Sequence, residues 1–165
     1  MLLEDRLSDE KVLESIGSFT GIEHRIEFVL RFKKISFFND SKATNPDSAS
    51  KSISALRNIF LIAGGILKTD DISPIKPYIN NICGAYFYGK DAERIQESFV
   101  NLLKSEIFHN IDCAFEKAVK DAIIFDCESN VLLAPMCSSF DQFKNFEERG
   151  LYFKDLVKGF AKQNL

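Results

Sequence analysis

The chain has 165 residues, 45% of them apolar, enough for one domain with a core of its own. Its net charge is −3 and no basic stripe interleaves with aromatics, which argues against nucleic acid as a partner. No apolar run approaches the ~20 residues that cross a bilayer, and the opening MLLEDRLSDEKVLESI has acids where a signal peptide needs a basic and then an apolar stretch; a cytoplasmic chain without a membrane partner is expected.

In chain order, Asp9 to Phe19 predicts a short amphipathic helix with Val12, Ile16 and Phe19 on one side, broken by Gly21. Residues 1–20 therefore read as a lead-in helix at a domain boundary. RIEFVLRFKKISFFND predicts an antiparallel hairpin around Phe32-Lys33-Lys34. Pro46 to Arg57 predicts a helix, IFLIAGG a buried strand, SPIKPYINN a short helix and ICGAYFYG another buried strand. Asp91 to Leu103 is helical in pattern, EIFHN a short strand, Cys113 to Phe125 a helix and NVLLAP a last apolar strand. Asp141 to Phe160 predicts one or two helices, with Gly150 as the break. Strands apolar on both faces that alternate with helices imply an α/β fold, a doubly wound, mostly parallel, Rossmann-like sheet of about six strands, one antiparallel.

Cys83, Cys113, Cys127 and Cys137 form no CxxC pair, and three of them lie in apolar patterns, so reduced and buried thiols are expected. The only histidines, His24 and His109, are far apart in sequence, which argues against a zinc site.

In such sheets ligands sit beyond the C-terminal ends of the strands. NDSKATN, GGILK and APMCSSFDQF each follow a predicted strand and should converge on one edge. In the first, a helix start explains Asn45 as N-cap, Pro46 at the first helical position and Asp47 in the first turn, but leaves Asp40, Lys42 and Thr44 unexplained. In the second, Gly64 and Gly65 suit an ordinary tight turn, or a close ligand approach with Lys68 as a point charge. In the third, Ser139-x-x-Gln142 has the pattern of a capping box, and the helix it would open presents free N–H groups to an anion. There is no GxxxxGK[ST], no GxGxxG and no credible Ser-His-Asp or Cys-His set. The pocket reads as one for an anionic small molecule.

Together HRIE, NDSKATN, GGILK and LLAPMCSSFDQFKNFEERGLYF resemble, in order and spacing, the C-terminal domain of the D-glutamate-adding Mur ligases of peptidoglycan synthesis. The resemblance runs from about Ile16 to Phe160, and NDSKATN is its most discriminating piece. It implies that residues 21–165 are the third of three domains, with the UDP-sugar-binding and ATPase domains outside this chain. It also implies a cytoplasmic, monomeric ligase of cell-wall synthesis that uses ATP and Mg, binds D-glutamate, ATP/ADP and, through the other domains, UDP-N-acetylmuramoyl-L-alanine, and is inactive as this domain alone. By the resemblance, Arg25, Asp40 and Asn45 are nucleotide-side contacts, and Lys42 is the lysine near the reacting groups. Thr44 and Lys68 hold one D-glutamate carboxylate, and Ser139 with Phe140 and Phe146 clamps the other. No metal ligand is implied in this chain. APMCSS and GGILK depart from the family pattern, with Ala134 and Met136 in the first and Ile66 and Leu67 in the second. The alternatives are a folylpolyglutamate synthetase-like ligase domain, against which SKAT argues, and a stand-alone receiver-like binding module, which would need more strand-end acids than Asp40.

Overall fold

The computed structural model describes residues 22–164, so the helix expected over Asp9–Phe19 and the boundary at residue 20 lie outside the described residues. The described residues form strands β1 (Glu27–Phe32), β2 (Ile35–Asn39), β3 (Ile59–Gly64), β4 (Ile82–Tyr88), β5 (Ser105–Phe108) and β6 (Ser129–Leu133). Between and after them come helices α1 (Pro46–Ala55), α2 (Ala92–Ser98), α3 (Ile111–Phe125) and α4 (Phe146–Gln163), and a 3-10 turn at Lys76–Asn81.

The strands pair in the order β1-β2-β6-β3-β4-β5, with β1 antiparallel to β2 and the other pairs parallel. Alternation along β3 shows why its whole run is apolar. Ile59, Leu61 and Ala63 face a cluster built with α1, the 3-10 turn and α2, while Phe60 and Ile62 face one built with α3 and α4. A strand covered on both faces has no polar side to show. The chain reaches β6 last and inserts it between β2 and β3, so the first, second and last strand-end loops become neighbours.

Several boundaries move. α2 ends at Ser98, with Phe99 as its C-cap and the Phe99 N–H on the Gln96 and Glu97 carbonyls; beyond it Val100 and Leu102 are exposed. α3 starts at Ile111, where the Asn110 side chain accepts from the Cys113 N–H. Three of the cysteines are exposed and only Cys137 is buried. α3 turns Ile111, Ala114, Phe115, Ala118, Val119 and Ala122 inward, which leaves Cys113 on its outer side, and Cys127 follows the left-handed turn at Asp126. Gly150 does not break the last helix. It is buried inside α4, where an added Cβ would lie 2.2 Å from His24 Nδ1, so its role is close packing.

Candidate functional site

Because β2, β6, β3 and β4 run parallel, the chain leaves all four at the same edge. Asp40 N donates to Leu133 O (2.8 Å), Ala134 N to Ile62 O (3.1 Å) and Gly64 N to Pro135 O (3.0 Å), which extends the ladder past the strands. The loops then lock to one another. Met136 N donates to Ala43 O (2.9 Å), and Ile66 and Ser138 exchange two bonds of 3.0 Å. Thr44 follows Ala43, Lys68 lies two residues past Ile66, and Ser139 follows Ser138, so these three expected carboxylate-binding residues share one edge. Met136 takes a left-handed backbone (φ +59) to make the crossing, a costly conformation for a long side chain.

The two glycines serve this crossing. A Cβ on Gly64 would lie 2.0 Å from Tyr88 O, and one on Gly65 2.1 Å from Ser138 O. The close approach that they permit is that of neighbouring backbone. The loop bearing Lys68 is further held by Asp91, whose N–H donates to Gly65 O (3.1 Å) and whose carboxylate accepts from Leu67 N (2.8 Å).

On the other side of NDSKATN, Arg25, Asp40, Lys42, Asp47, Ser48 and Lys51 line a cavity of about 340 Å³. Asp40 is only 5% exposed and accepts from the Ile26 N–H (3.3 Å). Burial pushes its carboxyl above the ordinary 3.8, against the opposing pull of the Ser52 hydroxyl, the Ile26 N–H and the Arg25 charge. Lys42 Nζ stands 5.4 Å from the centre of the Phe146 ring, a cation–π distance, and Phe146 meets the His24 ring edge-on at 6.1 Å. His24 also accepts the Lys42 N–H on its carbonyl (3.2 Å). Its Nδ1 lies 2.9 Å from Asn39 Nδ2. Asn45 spends its side-chain oxygen on the Ser48 N–H (2.8 Å) as the cap of α1.

The third loop differs from expectation. Ser139 is buried, but its carbonyl accepts from Gln142 N (3.1 Å) and Phe143 N (2.9 Å), closing a turn and not a helix. Gln142 donates instead to His109 O (3.0 Å), so the capping box does not form. α4 starts at Phe146, capped by Asn145 through the Glu148 N–H (2.7 Å), while Glu148 reaches back to the Lys144 N–H (2.6 Å). The helix N-terminus therefore lies seven residues past Ser139, a shift that the competing Asn145-x-x-Glu148 signal explains. Phe140 is 70% exposed, and its side chain lines a separate cavity of about 780 Å³ with Ile66, Lys90, Glu93 and His109.

Sequence reasoning passed over Arg149. It is fully buried, and its guanidinium donates to Ser41 Oγ (3.0 Å), Ser41 O (2.9 Å), Cys137 O (3.1 Å) and Gly64 O (3.4 Å). The available signal was its position: Phe146, Arg149, Phe153 and Val157 recur at helical spacing, so an arginine stands in the inward stripe of α4. Glu23, His24 and Glu27 form the one triad of possible metal donors among the described residues. The Lys154 ammonium already fills it, 2.8 Å from Glu23 and 2.6 Å from Glu27, so the donors present do not fit a Mg²⁺ ion.

Residues 24–135 match the family described as "Mur ligase, glutamate ligase domain". The chain is 50% identical over 153 residues to the UDP-N-acetylmuramoylalanine--D-glutamate ligase of Rickettsia prowazekii, covering 92% of this chain and 34% of that protein. It is 36% identical over 152 residues to the protein of the same name from a Caulobacter species, covering 92% of this chain and 32% of that one. The chain thus spans about a third of the length of the curated relatives it matches. A bifunctional folylpolyglutamate synthase/dihydrofolate synthase from Yersinia pestis superposes with a TM-score of 0.64 at 17% identity, over 93% of this chain and 36% of that one, a likeness of fold. With that family match over all six strands and the first two of the three loops, the chain belongs to the Mur ligase family and carries its glutamate ligase domain.

Proposed function

We propose that this chain binds D-glutamate and closes over ATP as the C-terminal domain of a cytoplasmic, monomeric ligase that joins D-glutamate to UDP-N-acetylmuramoyl-L-alanine. The observation that carries the reading is the double lock Ala43–Met136 and Ile66–Ser138, which sets Thr44, Lys68 and Ser139 along one edge. The name that these relatives share supports the choice of substrate.

In this reading the terminal phosphoryl group of ATP passes to the alanyl carboxylate, giving an acyl phosphate and ADP. The amine of D-glutamate then attacks the acyl carbon, inorganic phosphate leaves, and the amine gives up a proton. The domain contributes placement. Thr44 and Lys68 hold one carboxylate and Ser139, beside Phe146, the other, so that the amine faces the acyl carbon; such orientation can lower a barrier by ~7–11 kcal/mol. Asp40 accepts from the ribose hydroxyls, and Arg25 and Asn45 flank it. Lys42, steadied by Phe146, supplies positive charge where phosphoryl charge develops. Magnesium, if it accompanies ATP, would offset phosphate charge, and the described residues of this chain offer it no fitting donor set.

The test is titration of the chain with D-glutamate, followed by amide chemical shifts, with L-glutamate as control. Shifts are expected at Thr44, Lys68 and Ser139, and Lys68→Ala should diminish them; in the complete ligase the same substitution should lower kcat/KM for D-glutamate roughly ten- to a hundredfold, the loss of one charge-assisted contact of ~1.5–3 kcal/mol. Shifts gathered at the opposite edge, around Asn58 and Ser129, would overturn the placement.

A further inference from the structure

We infer that Arg149 is the positioning residue of the amino-acid site, setting the spacing of the three carboxylate-binding loops and placing a positive charge beneath them. The loop-setting rests on contacts alone, whereas its purpose rests on the D-glutamate reading above.

A buried guanidinium normally meets a carboxylate, since an ion taken out of water without a counter-charge is costly. Among the described residues no carboxylate forms an ion pair with Arg149. Its partners are three main-chain carbonyls and one hydroxyl, and each carbonyl belongs to a different strand-end loop: Ser41 after β2, Gly64 at the end of β3 and Cys137 after β6. Each of those peptide groups is also held at its other end. Lys42 N donates to His24 O, Gly65 N to Tyr88 O and Ser138 N to Ile66 O. All three are therefore pinned on both sides, and the five donors of a planar fork suit three carbonyls and the Ser41 hydroxyl together, one acceptor more than an ammonium can serve. The same helix brings Phe146 against Lys42, so seating α4 sets both halves of the site together. An internal cation with no ion-pair partner among the described residues also favours a doubly anionic amino acid at this edge, because the ligand brings counter-charge.

Two variants of the 165-residue chain test this. Arg149→Met removes the charge and the fork, and Arg149→Lys keeps the charge but not the fork. Without ligand, amide hydrogen exchange at Lys42, Gly65 and Ser138 should accelerate tenfold or more in both variants, while Leu61 and Leu132 in the central strands stay protected. With D-glutamate, the dissociation constant should rise tenfold or more for Arg149→Met and less for Arg149→Lys. If Arg149→Met fails to fold, Arg149→Lys reads the same amides. Wild-type exchange at the three loop amides in a folded variant would overturn the inference. Loss of protection, with no response to D-glutamate even in the parent chain, would keep the lock and overturn the ligand assigned to it.

Discussion

Asp40 carries a charge that the fold makes expensive. Burial raises its carboxyl above 3.8, so the folded chain holds that proton more tightly than the unfolded one does. The cost of the charge is absent below the unfolded value and complete once pH has risen through the folded one. Asp40→Asn should therefore stabilise the chain near pH 7 and change little near pH 3, read as urea midpoints at the two pH values. An equal shift at both would assign the change to packing. The same substitution should weaken the shift of Arg25 on adding ADP. At this scale the sequence was partly legible: NDSKATN showed more polar groups than a helix start requires, whereas Asn39, His24 and Arg149 gave no local sign of their partners. Asn39 meets Glu27 at 3.0 Å and Gly150 O at 3.4 Å, and no spacing rule reaches across the 111 residues of the second contact.

The helices show how one residue type can act in opposite ways. Gly150 and Gly159 both lie inside α4. A Cβ at Gly150 would strike the His24 ring, while one at Gly159 meets nothing within 4 Å. Gly159→Ala should then stabilise the chain by ~0.5–1 kcal/mol, as expected for an open helical site. Gly150→Ala should destabilise it by ~1–3 kcal/mol through overpacking, despite the better helix former. Thermal unfolding of the two variants decides this, and gains of the same sign would mean that the His24 ring yields freely. Read along the chain, Gly150 next to Arg149 looks like a stop. It becomes helical because Asn145 caps α4 upstream and Phe153 and Val157 are buried downstream.

The described residues make two apolar clusters, one on each side of a single sheet, and this supports cooperative folding of the chain. Ligand binding is a different matter. The 165 residues contain no phosphate loop, and the Asp40 cavity is lined by side chains that water reaches. Open charge pairs gain little after screening. D-glutamate and ADP are therefore expected to bind this chain with millimolar or weaker constants, about 4 kcal/mol or less, and the chain should not hydrolyse ATP. Micromolar binding by calorimetry would contradict this. By itself the sequence determined the strands, most of the helices and the three polar loops, because burial on two faces, helical period and turn chemistry are written in neighbouring residues. Only the tertiary structure decided that β6 inserts between β2 and β3, that Ser139 ends in a turn, and that Arg149 joins Ser41, Gly64 and Cys137. Those outcomes depend on contacts between segments up to 108 residues apart, whose energies no local window contains.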